Sequence, residues 1–552
     1  MTEDRILSPA RPGDAAAVPP TDPTPLPGAG GEGSLPPAEA KPVLTAGRSI
    51  GVLVALLMGL LLGALDNFIV VTALPKIATE LNDYAGQVFV VSSYLIAQTV
   101  AIPVFGKLSD RYGRRAFYLL GLVIFLIGST LAGLSQSLDQ LIFFRAIQGL
   151  GSGAFFTVVF SLVADLFPPK AAARLAGVLS GVFGIAIVFG PLIGSFIVDT
   201  TTWRWIFFVN LPIGFAAIAL VLATIRPIKP VPTNLKFDAA GSALLAVWVG
   251  ALIFALIETS NGWGWTDLRT ISLLAVALVL LPVFLWQESR TDDPLIPLGL
   301  FRKRLIAASS GVNFLRGAVL VVVVTFVPIL VVFGLGGSTD DSRDILYAFM
   351  VPMILGAATG GTLVSKSGYR LPVVLGLALV TIGTLLLTAV PTQPPLFRFV
   401  AGIVPVGLAG ALIPLGFGVG LTFAPTQLAI QYSVSARNIG TANSLVWFLG
   451  NLGGSIVLSF LATYQQSVFN SLKPAGPPPT VPPAIFQYYA QLQSATAVAI
   501  HDVWWAMVPI AVAALLFGLL VSGVLPATRM DDAPAPAVAG AGEPAQATTT
   551  AP

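Results

Sequence analysis

The sequence predicts an all-helical integral membrane protein that crosses the bilayer fourteen times. Three observations predict it. Of its 552 residues, 55% are hydrophobic and only 10% charged, with a mean hydropathy of +0.86. A soluble domain carries about 25% charged residues, so this chain could not cover a water-facing surface of its size. Apolar runs of the ~20 residues that a helix needs to span hydrocarbon recur along the chain. Basic residues, finally, concentrate in alternate loops, as positive-inside sorting requires.

The runs fall at 49–72, 86–104, 116–135, 139–163, 175–198, 206–225, 239–257, 271–287, 305–333, 345–364, 371–390, 398–424, 439–462 and 502–524. Lipid offers the backbone no hydrogen bonds, so runs of this length are read as helices. A β-barrel would instead show ~10-residue alternating segments. An even number of spans puts both termini on one side. Of the 29 basic residues, 21 fall on that side, six on the other, and two, Arg145 and Arg316, inside spans. That asymmetry predicts cytoplasmic termini in the cell membrane. Residues 1–48 and 527–552 are rich in Pro, Ala and Gly and are expected to be disordered tails. The first lacks the compact apolar stretch of a signal peptide. A long Pro-containing loop is expected at 463–501, either as a rigid arm or as an inert linker.

Composition also excludes functions. With no cysteine there is no disulfide framework, zinc-thiolate site or iron–sulfur cluster. His501 is the only histidine, which argues against His-based metal sites and Ser-His-Asp hydrolysis. A net charge of +3 provides no basic field for nucleic acid. No Gly-x-x-x-x-Gly-Lys-Ser/Thr occurs, so no ATP site is expected. No cofactor, metal or catalytic residue is expected, and the chain is read as a non-enzyme.

The loop after the second span reads Gly106-Lys-Leu-Ser-Asp110-Arg111-Tyr-Gly113-Arg114-Arg115. Gly106 and Gly113 suit close helix approach or a positive φ. Asp110 suits a helix N-terminus, where the macrodipole favours an anion. A worn copy, Gly361-Thr-Leu-Val-Ser-Lys366-Ser-Gly368-Tyr-Arg370, follows the tenth span and points to an internal repeat. The loop is either a topogenic basic turn or a latch. In the fourth span, Arg145 precedes Gln148, Gly149 and Gly153; it either snorkels or faces the interior. The fifth span carries Gly181, Gly190-Pro191 and Gly194, packing notches with a bend. Asp66 is the one acid placed well inside a span. Hydrocarbon penalises its anion, which makes it the best proton carrier in the chain; pairing with Arg145 is the rival role, and the two can coexist.

These segments resemble motifs A, B and C of the major facilitator superfamily. The stretch from Leu65 to Pro75 resembles the first-helix motif of its 14-spanner drug/proton antiporters, with Phe68 and Val71 departing from the pattern. Trp203–Gly214 and Phe237–Gly241 are typical of the same family. The resemblance implies two six-helix bundles, 49–225 and 305–526, flanking two inserted helices within 226–304. It further implies that Asp66 and Arg145 serve proton coupling. Gly106, Asp110, Arg111, Gly113, Arg114 and Arg115 would form a cytoplasmic latch in which Asp110 and Arg111 hold facing helix ends. Gly181, Gly190, Pro191 and Gly194 would be antiporter packing residues.

The family's Arg is missing from Phe448-Leu-Gly450-Asn451-Leu-Gly453-Gly454-Ser455, and no acid is read inside the last six spans. A dication would lack a second carboxylate. Neutral, monocationic or amphiphilic solutes are therefore favoured, and Arg316 leaves anions open. The candidate cavity residues are Asn67, Gln98, Gln148, Phe156, Asn313, Arg316, Trp447 and Asn451, polar or aromatic positions on inner helices. The expected activity is export of lipophilic small molecules in exchange for protons by a monomer embedded in the bilayer. A lipid or lipid-precursor transporter and a proton-independent uniporter are the alternatives.

Overall fold

A computed structural model describes residues 46–81, 87–226, 237–259, 263–390, 406–434, 438–476 and 484–522. Among them every long element is a helix. The first bundle contains α1 (Ala46–Glu80), α2 (Gln87–Tyr112), α3 (Arg114–Gly133), α4 (Leu138–Leu166), α5 (Pro169–Thr200), α6 (Trp205–Phe208) and α7 (Asn210–Thr224). The hairpin α8 (Ala239–Glu258) and α9 (Leu268–Arg290) follows. The second bundle contains α10 (Arg304–Ile329), α11 (Thr339–Ser367), α12 (Arg370–Thr388), α13 (Val406–Gln431), α14 (Ile439–Leu472) and α15 (Ala484–Leu520). Among the described residues thirteen spans, counting α6 and α7 as one, are long and apolar enough to cross a membrane. The 32-residue α5, uncharged from Leu175 to Val198, makes the fourteenth.

The bundles repeat one packing plan. In the first, α4 packs on α2 and α3, and α1 on α5 and α7. In the second, α13 packs on α11 and α12, and α10 on α14 and α15. The repeat reaches the backbone: Gly113 before α3 has φ +105° and Gly368 before α12 has φ +74°, so each turn needs a residue without a Cβ. Across the middle, α2 meets α14 and α5 meets α11, again as mirror roles. The hairpin lies over this seam, with α8 against both α2 and α14. Rings anchor it: Phe89 to Phe254 at 5.6 Å, Trp248 to Phe448 at 6.4 Å and Trp265 to Phe460 at 4.7 Å between centroids. Large apolar side chains such as Phe143, Phe196 and Leu278 stay exposed on the outside, which suits lipid rather than water.

Between hydrocarbon-soluble helices, packing depends on close approach, and small residues provide it. A Cβ on Gly416 or Gly420 of α13 would stand 2.0 Å from the carbonyl oxygens of Phe349 and Met353 on α11. A Cβ on Gly356 of α11 would stand 2.2 Å from Phe417 O on α13. The two helices thus interlock through reciprocal glycines.

Several sequence expectations change here. The sixth span is broken: Pro212 has no N–H to return to Phe208, so the ladder is interrupted between α6 and α7. The expected loop at 463–501 is largely helical, because α14 continues to Leu472 and α15 begins at Ala484. Neither stretch contains Gly or Pro, so the helices outrun the apolar runs. Consequently Asp502 lies within α15, which corrects the expectation of no acid inside the last six spans. The start of the twelfth run, 398–405, lies outside the described residues, and α13 continues past the expected end at 424 to Gln431. Residues 46–48, assigned to the N-terminal tail, are helical. The remaining tail residues, 1–45 and 527–552, lie outside the described residues.

Substituting Gly416 by Ala is expected to cost about 1–3 kcal/mol, as overpacking does. Thermal unfolding in detergent would register it as a lowered midpoint, whereas Gly410→Ala, in the same helix with nothing within 4 Å of its Cβ position, does not lower the midpoint.

Candidate functional site

Three polar constructions stand out against the apolar interior. The first is a buried ionic cluster inside the first bundle. Asp66 on α1 is 1% exposed and Arg145 on α4 is fully buried. One carboxylate oxygen of Asp66 accepts from Arg145 Nη1. The other accepts from Gln148 Nε2 at 2.8 Å and from Asn210 Nδ2 at 3.0 Å. Arg145 also donates to Gln148 Oε1 at 2.7 Å and to Val90 O at 3.3 Å, and lies over the Tyr94 ring at 4.1 Å. Asn210 donates to Ser129 Oγ at 3.0 Å, which itself donates to Phe207 O. Three donors on one carboxylate make this a site built for an anion, and the cation is equally well furnished.

The second is a cavity of about 370 Å³ between the bundles, lined by α1, α2, α4, α10, α13 and α14. Asn67, Gln98, Phe156, Arg316, Trp447 and Asn451 reach its surface. Two expected cavity residues do not. Gln148 sits one turn beyond Arg145 on the same face and so joins the Asp66 cluster. Asn313 faces α13, where its Oδ1 accepts from Thr426 Oγ1 at 3.0 Å. Asp66 itself points away from the cavity, although its neighbour Asn67 lines it. A polar file joins the two: Gln98 donates to Ser152 Oγ at 2.6 Å, and Tyr94 and Gln148 lie one turn further along α2 and α4.

The third closes the end that bears the basic loops. Asp110 accepts from the backbone N–H of Gly440 at 2.8 Å and of Thr441 at 2.9 Å, in the first turn of α14. A Cβ on Gly106 would stand 2.7 Å from Ser444 Cβ, so glycine is what allows α2 and α14 to meet there. Below them Asn443 Nδ2 donates to Ser161 Oγ at 2.8 Å, and Gln431 Nε2 to Phe160 O at 3.1 Å. Phe156 and Phe160 pack on Trp447 at 5.1 and 5.7 Å between centroids.

The other loop residues divide differently from expectation. Arg114 bridges Asp110 to Asp165 of α4, and Arg115 reaches Leu222 O at the end of α7. Arg111 does not hold a facing helix end. Its Nη1 stands 3.9 Å from Asp293, in the segment after α9, and Lys107 pairs with the same carboxylate at 2.5 Å. On α5, Cβ atoms at Gly181 and Gly190 would stand 3.3 Å from Ile354 and 2.5 Å from Phe68, so the helix wedges between α1 and α11. Gly194 is buried in the same helix, and the Pro191 side chain lies outside the described residues.

Sequence reasoning missed Asn210 and Asp293. Asn210 is a lone amide in an apolar run just before a proline, and Asp293 belongs to an acid pair available to a four-base loop. Both signals were present, but neither names its partner.

Two bundles around a central cavity with a gate on one side define a membrane transporter. The sequence profile of the Major Facilitator Superfamily matches residues 56–458, and the chain belongs to that family. Multidrug resistance protein 3 of Bacillus subtilis (strain 168) is 34% identical over 420 residues, covering 76% of this chain and 80% of the relative. The tetracenomycin C resistance and export protein of Streptomyces glaucescens is 30% identical over 422 residues, covering 76% and 77%. Among solved structures, the human organic anion transporter MFSD10 (TETRAN) shares the fold with a TM-score of 0.57 at 16% identity, covering 86% of this chain and 99% of its own.

Two measurements test these constructions. Asp66→Ala leaves Arg145 buried without its counterion and is expected to cost about 3–5 kcal/mol; the Asp66→Ala/Arg145→Ala pair should cost clearly less than the two single losses added, read as thermal midpoints. Asp110→Ala removes the anion from the α14 N-terminus. In the naturally cysteine-free chain, a cysteine at Ser161 should then react about tenfold faster with a membrane-impermeant maleimide added from the basic-loop side.

Proposed function

We propose that this transporter exports lipophilic small molecules, drugs among them, across the cell membrane in exchange for protons by alternating access. The observation that carries the reading is the Asp66–Arg145 pair, a titratable acid sealed in the first bundle yet joined by a polar file to the cavity. The names of the relatives, a multidrug resistance protein and an antibiotic export protein, support the solute class. The cavity supports it too: about 370 Å³, with Phe156, Leu320, Phe423 and Trp447 on its walls, fits a drug-sized apolar body.

In this cycle the basic loops face the cytoplasm and the described conformation is closed on that side. A proton enters by Gln98 and Ser152 and neutralises Asp66. Arg145 keeps Gln148 Oε1 and Val90 O as acceptors and Tyr94 beneath it, so the loss of its counterion is tolerated for part of a cycle. Neutralisation removes a buried charge and shifts the balance toward the inward-facing state, in which Asp110 releases α14. The proton leaves to the cytoplasm and solute binds. One proton entering down 100 mV supplies about 2.3 kcal/mol. Each pH unit adds about 1.4 kcal/mol. At 100 mV and one pH unit, 1:1 exchange therefore supports about a 500-fold gradient of an uncharged solute.

Proteoliposomes with an imposed pH gradient test the reading, using cationic ethidium, uncharged Nile red and anionic pyrene-1-sulfonate as solutes. Gradient-driven movement of at least one dye in wild type, lost in Asp66→Asn while dye binding persists, is the expected outcome. Movement indifferent to the gradient sinks the antiporter, and gradient-driven movement unchanged by Asp66→Asn removes that residue from coupling.

A further inference from the structure

The bundles treat their buried bases differently. In the first, Arg145 meets a carboxylate and two further acceptors. In the second, Arg316 on α10 is 5% exposed, and among the described residues no carboxylate pairs with it. Its Nη1 donates to Thr426 Oγ1 at a long 3.4 Å, and its guanidinium lies 3.8 Å from the centre of the Phe423 ring. A guanidinium carries five N–H donors, so most remain unfilled. One turn before it, Asn313 Nδ2 is buried without a hydrogen-bond partner. Of the described residues lining the cavity, Arg316 alone carries a charge.

A cation removed from bulk water without a counterion is costly, and an arriving anion relieves that cost with charge-assisted hydrogen bonds. A cationic solute at the same place meets repulsion and finds no carboxylate among the lining residues. Beside Arg316 the wall is aromatic, with the Trp447 ring 6.4 Å from Phe423 and 5.1 Å from Phe156 between centroids. Such a wall favours a flat ring system.

We propose that Arg316 receives an anionic group and that the solutes carried include amphiphiles with one negative charge on a flat aromatic body. The inference rests on the export reading for its direction of transport, and on the cavity alone for its chemistry. The same anionic chemistry could come from a free solute or from a lipid headgroup.

The test is equilibrium binding to the full chain in phosphatidylcholine nanodiscs, with empty discs subtracted. The three ligands are pyrene-1-sulfonate, pyrene-1-sulfonamide and pyrenylmethyl-trimethylammonium. Wild type is expected to bind the sulfonate about tenfold or more tightly than the sulfonamide, with the ammonium weakest. Arg316→Gln should level sulfonate and sulfonamide while keeping the sulfonamide within about twofold of wild type, which reports an intact cavity. Arg316→Lys should retain part of the preference. No sulfonate preference in wild type, a preference for the ammonium, or a preference that survives Arg316→Gln overturns the proposal. Should Arg316→Gln bind none of the three, Arg316→Lys decides: sulfonate preference retained supports the proposal, and preference lost with sulfonamide binding intact overturns it. Displacement of the sulfonate by short-chain phosphatidylglycerol assigns the site to a lipid headgroup, and indifference to that lipid assigns it to a free solute; either keeps Arg316 as the anion receptor. Because binding is read without a pH gradient, its failure leaves the exporter standing, and loss of gradient-driven transport leaves the anion site standing.

Discussion

Hydrocarbon supplies neither hydrogen bonds nor counterions, and nearly every feature of this chain answers that constraint. The backbone satisfies itself in long helices. Two buried carboxylates find their polar partners within the protein: Asp66 has Arg145, Gln148 and Asn210, and Asp110 has the first-turn N–H groups of α14. With no hydrophobic force to drive helices together in lipid, glycine against carbonyl at α11 and α13 takes over that role.

The same constraint separates the chemistry of the two halves. The first bundle encloses an ionic network in which the acid and the base are each answered. Among the described residues, the second bundle has a buried base, Arg316, answered only by a hydroxyl and a ring. The packing plan is duplicated but its charges are not. Between them, Phe156 and Trp447 belong both to the cavity wall and to the contact that closes the basic-loop end. The cavity wall and the contact that closes that end therefore share side chains.

The inserted hairpin is tied into this system. α8 covers the seam between α2 and α14, and Asp293 beyond α9 pairs with Lys107 and stands 3.9 Å from Arg111 at the foot of α2. Asp110, in the same turn, holds α14. The loop is thus a junction of three units: the first bundle through Arg114 and Asp165, the second through Asp110, and the hairpin through Asp293.

Composition and periodicity are local properties, and they sufficed for the membrane class, the fourteen helices, the basic end and the lone acid of the first span. Motif resemblance added the two-bundle plan. The facing of each polar residue was decided by helices far away in the chain. Gln148 and Asn313 read as cavity residues from their spans, yet α1 claims the first and α13 the second. Arg111 reads as a latch, yet a carboxylate from the inserted segment draws it aside. Asn210 carries no motif of its own, yet it is a third donor to Asp66, 144 positions away in the chain. A single chain position records what a side chain can bond; which partner stands within 3 Å depends on the approach of helices far apart in the sequence, 82 residues for Gln148 and Asp66 and 144 for Asn210 and Asp66.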